Sequence, residues 1–189
     1  MKISIDGKEI ITLSEIQKKV IQNDIPSEIF NADMVRRLKW TVDHPCDQCY
    51  DGKKKEWNAK LKEKGVKTAP VNKTELAELV FREIPVNLDP SQNKDLVISV
   101  DDRESFRVTP TQKKMLKVQG KEDPDRHCYS QMAWILSHKY ERCMERLRSE
   151  WEPRLSASGI KSVPTDDAEF AKLVFSQKEY KNRSEREKG

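Results

Sequence analysis

The chain has 189 residues, 35% hydrophobic and 36% charged, with 36 basic against 32 acidic side chains and a net charge of +4. That is length for one ordinary domain or two small ones, with a thin core under a heavily solvated surface. The interspersed signs give weak grounds for nucleic-acid or membrane affinity, and no apolar run approaches the roughly 18–20 residues of a membrane span.

The opening MKISIDGKEI lacks the apolar stretch of a signal peptide, so the four cysteines are expected as reduced thiols in a cytoplasm. Ile3 and Ile5 precede Asp6-Gly7, a preferred tight-turn pair, and predict a hairpin. Ser14-x-x-Gln17 reads as a capping box that starts a helix. A long helix follows from about Ser27 to Lys64, ended by Gly65. Asn72-x-x-Glu75 then caps a short helix finishing in Leu-Val-Phe, and Pro85 and Pro90 mark PVNLDPSQNKD as a linker.

Beyond the linker the same succession returns. Val97 to Val100 precede Asp101-Asp102, Thr109-x-x-Gln112 is a capping box with Pro110 at the first helical position, and a long helix runs from about Pro124 to Ser158. Gly159 ends it, and Asp166-x-x-Glu169 starts the last short helix. Residues 40–81 lie over 134–175 without a gap, with 14 of 42 positions identical. Average composition gives roughly two or three by chance. SIDGKEIITLSEIQKKV, from Ser4, likewise lies over SVDDRESFRVTPTQKKM, from Ser99. The chain is thus a tandem repeat, residues 1–94 and 95–189. The fold class expected is mainly α with a small β-hairpin per module (α+β), the two helix-rich modules forming an internal pseudo-dimer.

HPCDQC, at residues 44–49, has the look of a zinc motif. At 100° per residue, however, Cys46 and Cys49 fall on the apolar stripe Val35, Leu38, Val42, Cys46, Cys49, Lys53, Trp57, Leu61. The second helix matches it with Tyr129, Met132, Leu136, Tyr140, Cys143, Leu147, Trp151 and Leu155. His44 lies on the opposite side. A metal site would need Pro45 to break the helix and His127 or Cys128 as fourth ligand. We read the thiols as core and expect no metal and no cofactor.

Trp40 and His44 form a pair four residues apart that returns as Trp134 and His138, on the side away from the stripe. A tryptophan there is either covered by a neighbouring element, or a protein contact, or a base-stacking platform. No nucleophile elbow, phosphate loop or His-Glu-x-x-His occurs, so no enzyme is expected. Lys53-Lys54-Lys55 has no counterpart run in the second module and reads as solvated helix surface. The tail SQKEYKNRSEREKG reads as frayed or ordered by a partner.

The second module resembles small single-module proteins of tailed phages of aquatic bacteria. The likeness rests on QKK, the His-Lys-Tyr-Glu-x-Cys helix, Trp-Glu-Pro-x-Leu, and the Val-Pro-Thr to Leu-Val-Phe-Ser-Gln ending. The first module is looser, departing at Pro45, Cys46 and Asp51-Gly52 and lacking Trp-Glu-Pro. The resemblance implies a duplicated module of roughly 90 residues and a phage origin, with no particular activity. The expected function is a non-enzymatic structural or adaptor protein, in the host cytoplasm or the assembled virion. It acts through protein partners held by Trp40, His44, Trp134 and His138. The competing expectation is a nucleic-acid-binding or host-directed regulatory protein using Arg36, Arg37, Lys53, Lys54 and Lys55.

Overall fold

Turn chemistry settles the β element. Asp6 and Gly7 have φ of 49° and 74°, and Asp101 and Asp102 have 50° and 61°. Two consecutive left-handed residues are what a two-residue hairpin turn matching strand twist requires. They join β1 (Lys2–Ile5) to β2 (Lys8–Thr12) and β3 (Leu96–Val100) to β4 (Arg103–Val108). The computed structural model describes residues 1–177 and Tyr180, so most of the charged tail lies outside the described residues.

The two hairpins are not separate. They merge into one antiparallel sheet of order β2-β1-β3-β4, pairing Ile3 with Val100, Ser4 with Ser99 and Ile5 with Ile98. Each turn also closes on the other hairpin. The Asp6 carboxylate accepts from the Val97 N–H at 2.9 Å, and the Asp101 carboxylate accepts from the Lys2 N–H at 2.8 Å. Ile3, Ile5 and Ile98 are fully buried, worth about 1.5–3 kcal/mol apiece.

Helix ends follow local sequence. Ser14 and Gln17 exchange capping bonds at α1 (Glu15–Gln22), as do Thr109 and Gln112 at α4 (Pro110–Val118). Asn72 accepts from the Thr74 and Glu75 N–H groups at α3 (Lys73–Glu83), and Asp166 from the Glu169 N–H at α6 (Asp167–Ser176). The long helices are α2 (Phe30–Glu63), entered through a 3-10 turn at Ser27–Ile29, and α5 (Pro124–Ala157). Gly65 (φ 84°) and Gly159 (φ 88°) end them. Paired bonds run from Gly65 N–H to Lys62 O and Val66 N–H to Leu61 O, and from Gly159 N–H to Ser156 O and Ile160 N–H to Leu155 O.

The long helix expected across Pro45 is present, and one other sequence expectation needs correction. Pro45 does not break α2, which runs through it continuously, and α5 likewise runs through Pro153. A helix-interior proline costs roughly 3 kcal/mol. On either side of Pro45, Leu38, Val42, Cys46, Cys49 and Tyr50 are buried, which holds the helix on course. PVNLDPSQNKD, expected as a plain linker, is built into the fold. Leu88 and Gln92 are buried, and Asp89 caps a 3-10 turn, Pro90–Gln92.

The described chain falls into two compact units. Unit 1 holds Met1, Thr12–Asp33 and the described residues from Leu136 on; unit 2 holds Lys2–Ile11 and Met34–Ile135. In unit 1, α1 packs against α6 around Val20, Ile21, Leu147, Trp151, Phe170 and Val174. In unit 2, α3 packs against α4, with the sheet, Trp57, Leu76, Phe81 and Leu116 contributing to the core. Each unit therefore draws segments from both sequence repeats.

Candidate functional site

The 3.6-residue period of α2 sends Leu38, Val42, Cys46 and Cys49 inward, and Trp40 and His44 outward. Trp57 and Trp151, on the apolar stripe, are core at 4% and 3% exposure. Trp40 and Trp134 are each 53% exposed. The reading in which neighbouring elements cover these two tryptophans is thereby corrected: among the described residues, no element packed on α2 or α5 buries either one.

Trp40 and His44 lie as parallel rings, with centroids 4.6 Å apart and planes 13° from each other. Spacing of four places the imidazole one turn beyond the indole on the same face. The stack fixes the rotamers of both rings, so part of the entropy of holding an aromatic contact is already spent before any partner arrives. Charged residues frame it. Arg36 and Arg37 come one turn earlier, the Lys39–Asp43 ion pair sits alongside, and Asp47 follows His44, taking a bond from Lys73 at 2.7 Å. On α5, His138 Nδ1 stands 3.9 Å from a Glu141 carboxylate oxygen.

The basic run is partly engaged within its own helix. Lys53 and Lys60 both bind Glu56, at 2.8 and 2.6 Å, and these two ammonium groups lower its carboxyl to about 2. Lys54 lies 5.4 Å from the centre of the Tyr50 ring, and Lys55 is exposed. Arg36 and Arg37 stand elsewhere along the helix, before Trp40.

All four cysteines are free thiols and buried. Burial first, then neighbouring Cys128, pushes the Cys46 thiol up to about 12. Burial also raises Cys49, and lifts Cys128 to about 12. Cys46 Sγ lies 3.7 Å from the Gln112 carbonyl oxygen, and His44 is exposed on the far side of the helix. Among the described residues no group of three or more His, Cys, Asp or Glu is placed to hold a metal.

Two polar clusters escaped sequence reasoning. In unit 1, one oxygen of Asp24 receives Lys139 Nζ at 3.1 Å, Cys143 Sγ at 3.2 Å and Arg146 Nη1 at 2.9 Å. Burial works against this carboxylate, but the Cys143 thiol and the two cations outweigh it and lower its pKa. In unit 2, Lys113 is wholly buried. It donates to the carbonyls of Gln92 at 3.2 Å and Lys94 at 2.7 Å, and pairs with Asp125 at 2.8 Å off hydrogen-bond geometry. Nothing local distinguishes Lys113 from Lys18, its aligned counterpart in the repeated Gln-Lys-Lys. No protein-family model, curated protein or solved structure matches the chain.

Proposed function

We propose that the chain is a duplicated, non-enzymatic binding protein of phage origin, structural or adaptor in role, whose contact surface centres on Trp40, His44, Trp134 and His138. One observation carries this reading. Two tryptophans at aligned positions are both more than half exposed, each with a histidine four residues on. Large exposed aromatics are uncommon on monomer surfaces and enriched at interface hot spots.

We further read the two repeats as an internal pseudo-dimer whose halves exchange elements. The support is threefold. The sheet register puts Ser4 against its own counterpart, Ser99. The helix of the first repeat, α1, packs on α6 of the second, while α4 of the second packs on α3 of the first. The turn carboxylates Asp6 and Asp101 make matching bonds across the hairpins. A non-catalytic role accords with thiols raised to about 12 at Cys46 and Cys128, which leaves almost no thiolate to act as a nucleophile. Lysine charge spent within the helix, at Lys53 and Lys54, favours protein over nucleic acid as the occupant.

The test is to compare proteins retained by the wild-type chain and by Trp40→Ala/Trp134→Ala, at matched circular dichroism and melting temperature. Loss of specific partners with the fold intact is the expected result. If the variant unfolds instead, or keeps every partner, the tryptophans are structural and the reading fails.

A further inference from the structure

We draw no further inference here: the strongest candidate, the polar cluster of unit 1 in which Lys139, Cys143 and Arg146 of α5 meet the Asp24 carboxylate just beyond α1, holds a single buried cysteine whose polar neighbours already satisfy one another, and nothing in the structure points to a ligand there.

Discussion

Ser4 of β1 lies opposite Ser99 of β3, and the two serines occupy the same position in the two sequence repeats. The pairs on either side are exchanged equivalents, Ile3 with Val100 and Ile5 with Ile98. A register slipped by one residue would send every one of these side chains to the opposite face of the sheet. The buried isoleucines therefore hold the pairing, and the pairing joins the two hairpins.

Ile5→Ala and Ile98→Ala should each cost about 2–5 kcal/mol, the usual range for emptying a filled core position. Because the two face each other across β1 and β3, the double variant should cost less than the sum, with a coupling of about 0.5–3 kcal/mol. Chemical denaturation of the two single variants and the double variant measures this. Strict additivity for Ile5 and Ile98 would contradict the observed register.

Residues 95–189 expressed alone lack both β1 and α3. If the repeats form a pseudo-dimer, this fragment should pair with a second copy of itself, β3 against β3 centred on Ser99 and α4 against α6. Size-exclusion chromatography with light scattering should give twice the fragment mass. A folded monomer would show that the module closes on itself and that the exchange of elements between repeats is dispensable.

Local chemistry made much of this fold legible. Asp6-Gly7, the Ser14 and Thr109 boxes, and Gly65 and Gly159 each act within a few residues, so hairpins, helix starts and helix ends could be read directly. The stripe through Cys46 and Cys49 was legible for the same reason. The junction of β1 with β3, and the packing of α1 on α6 and α3 on α4, join residues far apart in the chain. Composition carries no signal for such pairings. Trp40 and Trp134 could be assigned to the polar face, but whether anything covered them depends on where other elements pack. Lys113 was opaque because its burial follows from the placement of Gln92, Lys94 and Asp125 around it.

That difference between aligned lysines can be measured. Lys113→Met leaves two carbonyls and the Asp125 carboxylate without their cation and should cost about 3 kcal/mol. Lys18→Met, at the aligned position, removes a half-buried ammonium 5.9 Å from the Phe30 ring centre and should cost about 0.5 kcal/mol or less. Equal losses at the two positions would mean that the buried network around Lys113 contributes nothing.

The thiols predict behaviour in alkali. Burial, the largest cause at both sites, raises Cys46 and Cys128 to about 12, against an ordinary thiol near 9.0. Above the ordinary value the unfolded chain loses thiol protons that the folded chain keeps, so stability falls as pH rises from about 9 towards 12. Cys46→Ala/Cys128→Ala should be less stable at neutral pH, through lost packing, but show a shallower decline in that window. Wild-type thiols should also react with a disulfide reagent only as fast as the protein opens. Rapid labelling of all four in the folded state would contradict their burial.

Asp24 predicts the opposite edge of the pH range. Desolvation opposes its charge, yet the Cys143 thiol with Lys139 and Arg146 holds its pKa below the ordinary 3.8. A depressed carboxyl contributes stability above its unfolded pKa, and that contribution is lost as pH falls below about 4, through the folded value. Asp24→Asn keeps the shape of the side chain and removes the charge that three donors share. It should cost about 1.5–3 kcal/mol at neutral pH. Its stability should then change less than that of the wild type between neutral pH and the acid limb. Thermal melts of both proteins across that range would read the difference, and parallel pH profiles would show that Lys139 and Arg146 are held in place by something other than the Asp24 charge.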